Sequence, residues 1–308
     1  MESKEKIIRN GIIIVDKPAG FTSHDVVAKL RGIMGQRRIG HGGTLDPMAT
    51  GVLPVFLGGA CRASEYASAE GKEYLAAFRL GVATDTQDIT GTVVSEREVN
   101  AGAADVEAAL AAFRGEIMQT PPMYSAVQVG GVRLYDLARK GREVERPARR
   151  VYIERLTLEA ADEGTNEYTV RVACSKGTYV RTLCADIGER LGCGAALTSL
   201  RRTRSGVFTL ADARTLDDFQ RLREAGALDT ALLPVERLFE GLPRVAVEGR
   251  REFLLRHGAC VPVFAGVPEE GLFRVYGAGD TFLMLGAVRA DKEGRPAIFC
   301  EKNFCTAE

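Results

Sequence analysis

Three glycines within four residues, Gly40, Gly42 and Gly43, run directly into Thr44-Leu45-Asp46-Pro47, and this constrains the N-terminal half more than any other feature. Without a Cβ, glycine enters turns closed to other residues and lets backbone approach a ligand, but it weakens helix and strand interiors. Pro47 keeps Asp46 out of the α region and so extended. The segment is therefore a loop that presents a carboxylate between two regular elements. Before it, Thr22 or Ser23 can cap a helix whose apolar residues Val26, Val27, Leu30, Ile33 and Met34 recur at helical spacing, with Gly35 as its end. After it, Val52–Leu57 reads as a strand. A carboxylate on a rigid loop suits nucleophilic catalysis, yet Asp before Pro is also a common Asx-turn. Residue chemistry alone leaves both readings open.

Elsewhere strands and helices mix without regular βαβ alternation, which predicts an α+β catalytic domain. Ile12–Val15 is a short β-branched run closed by Lys17-Pro18-Ala19-Gly20. Tyr74–Leu80 alternates, with Tyr74, Ala76, Phe78 and Leu80 on one face. Asp105–Phe113 reads as a helix stopped by Gly115, and Tyr168–Cys174 as a strand turning at Lys176-Gly177. A helix follows with Val180, Leu183, Ile187 and Leu191 inward. Residues 209–240 lean acidic and helical. The stretch Thr120–Arg150 opens with Pro121-Pro122, turns basic and reads as an insertion projecting from the body. Beyond Leu242-Pro243, the runs Val261–Phe264, Leu272–Tyr276, Phe282–Val288 and Ala297–Cys300 are separated by glycines, suggesting a small β-barrel domain. The expected division is residues 1–242, with an insertion at about 120–151, and residues 243–308.

The apolar run Ile12–Val15 covers four residues, too few for a signal-peptide core or a membrane span, so a cytoplasmic protein without membrane contact is expected. Seven cysteines without a CxxC pair read as reduced thiols, and three histidines without ligand spacing predict no metal. Basic and acidic residues balance at 41 each, so total charge carries no nucleic-acid signal. The distribution is less even. Val26–Leu45 has four basic residues and no acid, Gly131–Arg155 has eight against four, and Arg201, Arg202 and Arg204 cluster. Such patches can follow a phosphate backbone, although each alone reads as a solvated face.

The run Gly40-His41-Gly42-Gly43-Thr44-Leu45-Asp46-Pro47-Met48-Ala49-Thr50-Gly51-Val52-Leu53-Pro54 resembles the signature of the TruB family of tRNA pseudouridine-55 synthases. Four further blocks agree in order: Val15–Ser23, Gly71-Lys72-Glu73-Tyr74, Pro121-Pro122-Met123-Tyr124-Ser125-Ala126, and Cys174–Leu183. The likeness spans Gly11 to Val207; for the C-terminal part, similarity to the family's PUA domain rests on length and strand pattern. The resemblance implies a mixed-sheet catalytic domain with an inserted thumb, and isomerisation of a uridine in the T-arm of tRNA. It implies Asp46 as nucleophile, on the base or on the ribose, and Arg181 as its ion-pair partner. Tyr74 would stack on the flipped base and take part in proton transfer, Tyr179 would contact base or ribose, and Leu200 would close the pocket. His41 would support the flipped conformation. No cofactor and no protein partner are implied, and a monomer is expected. The chain holds no dinucleotide fingerprint or Walker motif, consistent with redox-neutral chemistry. Lys17 could touch phosphate or pin a strand end, and Thr84-Asp85-Thr86-Gln87-Asp88 is an acidic turn; both read as structural. Two competing readings are an RNA-binding protein with a vestigial loop and a small-molecule hydrolase. Intact Asp46, Tyr74 and Arg181 oppose the first; the other lacks a His or second-carboxylate partner for Asp46 and leaves the basic insertion unexplained.

Overall fold

The computed structural model describes residues 8–125 and 127–305; Met1–Ile7, Ala126 of the Pro121–Ala126 block and Thr306–Glu308 lie outside the described residues. The chain begins with β1 (Gly11–Lys17), whose apolar run is buried on both faces. Helix α1 (Ser23–Met34) starts at a Thr22 capping box, in which the Thr22 hydroxyl accepts from the Asp25 amide at 3.1 Å and the Asp25 carboxylate accepts from the Thr22 amide at 2.8 Å. It ends at Gly35 in the left-handed region. Next come β2 (Ile39–His41), β3 (Thr50–Leu57), α2 (Ser64–Ala69), β4 (Lys72–Leu80) and the pair β5 (Val82–Thr84) and β6 (Val93–Glu96). Helix α3 (Ala103–Leu110) leads to β7 (Gly115–Gln119). The basic insertion folds as a small hairpin, β8 (Gln128–Val129) and β9 (Val132–Arg133), with the single turn α4 (Leu134–Ala138), and Arg139, Lys140 and Arg142 are exposed on it. Then follow β10 (Arg149–Asp162), β11 (Glu167–Cys174), α5 (Val180–Arg190), β12 (Ala195–Ser205), β13 (Phe208–Thr209) and α6 (Leu216–Glu224).

One nine-stranded sheet organises the site, in the order β1-β3-β12-β4-β11-β10-β7, with β2 beside β3 and β13 beside β12. Every pairing is antiparallel except β3 with β12, so the sheet is mixed and the fold is α+β. Tyr74, Ala76, Phe78 and Leu80 share one core with Val170, Leu183, Ile187 and Leu197, with α3 and α5 on that face. Helices α1 and α6 cover the β1–β3 end through Val26, Leu30 and Phe219.

Two long strands have no counterpart in the sequence reading. β10 and β12 each carry two register shifts, at Ile153/Arg155 and Leu158/Ala160 in one and at Leu197/Ser199 and Arg202/Arg204 in the other. A bulge resets the in–out alternation, which hides a strand from a period-2 pattern. Residues 209–240, expected to be helical, hold only the nine residues of α6 as α-helix, joined by three short 3-10 turns.

The C-terminal part comprises β14 (Arg244–Ala246), α7 (Arg250–Arg256), β15 (Val261–Pro262), β16 (Leu272–Tyr276), β17 (Phe282–Ala290) and β18 (Pro296–Asn303). Its strands form a curled sheet of five, half of a barrel, in the order β14-β16-β17-β18-β15. The sheet docks through Phe282 and the adjoining Phe304 onto Phe239, rings 5.5–6.2 Å apart, in a core shared with Ile12, Val52 and Phe56. No helix among the described residues is long and apolar enough to cross a membrane.

Candidate active site

The glycine-rich loop is anchored at both ends. Gly42 donates to the Pro54 carbonyl at 2.9 Å, and the Leu45 amide donates to Ser23 Oγ at 2.9 Å. A Cβ on Gly42 would lie 2.8 Å from both Ala67 and the Phe56 ring, so only glycine fits there. Lys17, fully buried, does not reach the surface; its ammonium donates to the Pro47 carbonyl at 3.2 Å and to Pro18 at 2.9 Å. It pins the loop immediately after Asp46. Burial, together with the positive charge of Arg202, lowers its pKa to about 8, while Asp46 pulls in the opposite direction.

Asp46 leaves this loop with 37% of its side chain open to a cleft and meets Arg181 Nε at 2.9 Å. Arg181 comes from the first turn of α5 and is almost wholly buried. The contact with Asp46 is a single one, because the fork is used elsewhere. Nη1 donates to the Thr86 carbonyl at 2.9 Å and to Asp88 Oδ2 at 3.4 Å, and Nη2 to the Tyr124 carbonyl at 2.9 Å. Arg181 therefore lies between two carboxylates. The Thr84–Asp88 turn touches the arginine that holds Asp46, so it is part of the site and not a remote acidic turn. Asp88 is itself fixed, its Oδ1 accepting from Thr86 Oγ1, the Thr90 amide and Thr90 Oγ1. Removal from bulk water pushes the Asp46 carboxyl above its ordinary range; Arg181 opposes this and Asp88 adds to it.

Tyr74 projects from β4 and Leu200 from β12 into the same cleft of 290 Å³, which Thr44, Lys72, Tyr124, Thr178, Tyr179 and Arg202 also line. That volume lies at the small end of ligand pockets, about 300–1,000 Å³. Tyr74 is 8% exposed, and burial pushes its phenol up while Arg202, by charge and a side-chain hydrogen bond, pulls it down. Tyr179 caps the start of α5, its backbone clasped by buried Gln119 in a reciprocal pair of hydrogen bonds at 2.8 and 3.1 Å. His41 does not line the cleft. It lies on β2 edge-on to His24, ring centroids 5.2 Å apart, with Nδ1 buried and unpartnered among the described residues. Burial, His24 and Arg202 all lower its pKa and so favour the neutral ring.

Arg202 overturns the reading of Arg201, Arg202 and Arg204 as a solvated face: it is 1% exposed. Its Nε donates to the Val52 carbonyl at 2.7 Å, Nη1 to Thr44 at 3.5 Å and Nη2 to Gly43 at 3.3 Å. Arg201 pairs both nitrogens with Asp16, at 3.1 and 2.7 Å. Lys72 is also buried, donating to the carbonyls of Ala67, Ser68 and Glu70 at the end of α2, with its pKa lowered to about 8 by burial and Arg202. The sequence shows Arg202 in a charge cluster and Asp88 in an acidic turn, but their places beside Asp46 become visible only once the sheet is assembled. Among the described residues no group of three or more His, Cys, Asp or Glu could hold a metal.

Residues 31–180 match the N-terminal domain model of the TruB family of pseudouridylate synthases, and residues 181–240 match the C-terminal domain model of tRNA pseudouridylate synthase B. The tRNA pseudouridine synthase B of Pseudomonas putida F1 is 43% identical over 94% of this chain and 96% of its own length. That of Geobacillus kaustophilus is 45% identical over 82% and 90%. Among solved structures, a chain of a Cbf5–Nop10–Gar1 complex superposes with a TM-score of 0.73 at 30% identity, covering 96% of this chain and 85% of that one. A chain of an H/ACA ribonucleoprotein bound to a substrate RNA containing 2′-deoxyuridine gives 0.72 at 28%, with the same coverage. Fold and relatives together define an RNA pseudouridine synthase. Within that class the chain belongs to the TruB family.

Proposed function

We propose that the protein converts uridine 55 in the T-loop of tRNA to pseudouridine, with Asp46 as nucleophile acting on a base flipped out of its stack. The observation that carries this reading is the setting of Asp46: a carboxylate on a glycine-built loop, aimed by Arg181 Nε at 2.9 Å into a cleft walled by Tyr74, Tyr179 and Leu200. The naming of the relatives as tRNA pseudouridine synthase B supports the substrate. A stacked loop uridine is out of reach of any side chain, so it must be extruded. Unstacking costs a few kcal/mol, and an aromatic platform such as Tyr74 returns about 1–3 kcal/mol per base. Asp46 attacks the ring or the anomeric carbon, the N1 glycosidic bond breaks, the base turns and rejoins through C5, and the bond to Asp46 breaks to free the carboxylate. The C5 hydrogen leaves as a proton and N1 gains one, so no oxidant, metal or energy donor is required. Half-buried Tyr179 meets base or ribose, and His41 supports the extruded conformation from beside the cleft. The exposed basic insertion and the PUA-like part, residues 243–308, add contacts to the RNA backbone, and the protein acts as a monomer.

The test is release of tritium from tRNA carrying [5-³H]uridine, because only C5 rejoining expels that hydrogen. Asp46→Asn is expected to bind tRNA normally and to release none, since the amide keeps the shape but is a poor nucleophile. Turnover within tenfold of the parent would defeat the assignment.

A further inference from the structure

Of the buried cations around the cleft, Arg181 faces Asp46 and Asp88, whereas Arg202 has no carboxylate partner among the described residues. A guanidinium taken out of water without a counter-charge is costly, and neutral carbonyls compensate it only in part. Such an arginine is retained where its fork and its charge serve a purpose that a neutral side chain would not. Its surroundings indicate that purpose. Arg202 sits on β12 at the point where that strand touches both of its neighbours, opposite Gly51 of β3 and opposite Tyr74 of β4. At Gly51, φ is +99°, and a Cβ there would fall 2.2 Å from the Arg202 carbonyl, so the close approach of the two strands depends on glycine. From that point the guanidinium reaches the carbonyls of Gly43 and Thr44, just before Asp46, and of Val52, just beyond the loop. On its other side it stands opposite Tyr74 across the β12–β4 pair, with both side chains lining the cleft, so that its positive charge acts on the phenol.

We propose that Arg202 is a positioning residue for the reaction: its fork ties the loop that presents Asp46 to the strand that presents Tyr74, and its unmatched charge governs the phenol oxygen. This rests on the reading of Asp46 and Tyr74 above. Arg181 aims the carboxylate from one wall of the cleft. Arg202 sets the distance between that carboxylate and the aromatic wall from the other, through three backbone carbonyls and its place opposite Tyr74 on the neighbouring strand. Its charge also favours the deprotonated phenol, opposing the burial that disfavours it.

Two variants separate fork from charge: Arg202→Lys keeps the charge and loses the planar fork, and Arg202→Met loses both. Melting temperature, tRNA affinity, single-turnover tritium release at saturating enzyme and its pH dependence are measured beside Tyr74→Phe and Asp46→Asn. Both arginine variants are expected to fold and to bind tRNA as the parent does, while the single-turnover rate falls about a hundredfold, the loss that a slightly misplaced reacting group produces. The limb of the pH profile that Tyr74→Phe abolishes should move to higher pH in Arg202→Met and stay in place in Arg202→Lys. A merely structural arginine would lower the melting temperature and leave that limb where it is, and this result overturns the proposal. A folded variant turning over at near the parent rate overturns it as well, as does a profile that Tyr74→Phe leaves unchanged. Should Arg202→Met fail to fold, the rate of Arg202→Lys decides. If Asp46→Asn kept its rate while Arg202→Lys lost it and the limb moved as described, the nucleophile assignment would fall and the action of Arg202 on Tyr74 would stand.

Discussion

Replacing Arg181 by lysine keeps one positive charge and removes the geometry that distributes it. In the parent, three nitrogens serve four acceptors: Asp46 at 2.9 Å, the Thr86 carbonyl at 2.9 Å, Asp88 at 3.4 Å and the Tyr124 carbonyl at 2.9 Å. A lysine ammonium is a point donor on a flexible stem and cannot span these directions at once. Settling between the two carboxylates, it would leave the Thr86 and Tyr124 carbonyls without their charged donor, at about 1.5–3 kcal/mol each. A stability loss of about 3 kcal/mol follows, held down because Asp88 keeps three other donors through Oδ1. The effect on rate is separate. Asp46 keeps a cation nearby but loses the fixed Nε contact that orients it, and, for the proposed nucleophile, such misdirection costs about a hundredfold, or roughly 2.7 kcal/mol of barrier. Arg181→Lys should therefore unfold at lower denaturant, bind tRNA with near-parent affinity and release tritium at least about a hundredfold more slowly under single-turnover conditions. A rate within threefold of the parent would mean that the ion pair does not orient the reacting carboxylate.

The remaining predictions address other parts of the molecule. Reversing the charge at Arg139, Lys140 and Arg142 should weaken tRNA binding and flatten its salt dependence, each lost phosphate contact lowering the log–log slope by about 0.7–0.9; an unchanged slope would remove the insertion from the interface. Lys72, with its folded pKa near 8 against 10.5 unfolded, leaves the folded state binding fewer protons between those values. Its contribution is thus fully present above pH 10.5 and lost as pH falls through 8, and the stability difference between parent and Lys72→Met should rise with pH across that window by up to about 1.4 kcal/mol per pH unit. A flat difference would mean that Lys72 titrates normally. Removing residues 243–308 should raise KM for whole tRNA more than for an isolated T-arm hairpin, with kcat less changed, provided the truncated protein is shown to fold; equal effects on both RNAs would deny that part a role in distant contacts.

What could be read from the residues was what glycine and proline state directly. The loop at Gly40–Pro47, the Thr22 cap and Gly35 end of α1, and the inward faces of β4 and α5 all follow from local backbone preference and spacing. Asp46 and Arg181 were within reach because their motifs are local in sequence. Asp88 was not, since its meaning comes from an arginine 93 residues away. Arg202 was misread for a different reason. Two bulges hide β12 from a period-2 pattern, and within it the consecutive, regularly paired arginines face opposite sides: Arg202 is buried under the loop, and Arg201 pairs with Asp16 at the rim. A charge cluster can be interpreted only once its register is known.

The placement of β12 also bears on how the enzyme is made. Its Arg202 reaches Val52 across 150 residues of chain, in the one parallel pairing of the sheet. On a ribosome, the half-sheet of β1, β2 and β3 and the half-sheet of β4, β7, β10 and β11 are both synthesised before the strand that joins them. Until Ala195–Ser205 emerges and inserts, β3 and β4 each present an open edge to any other unpaired strand in reach. Closure therefore waits on a long-range contact, the slow kind. A nascent chain halted before residue 195 would carry Asp46, Tyr74 and Arg181, yet hold them in two separate pieces.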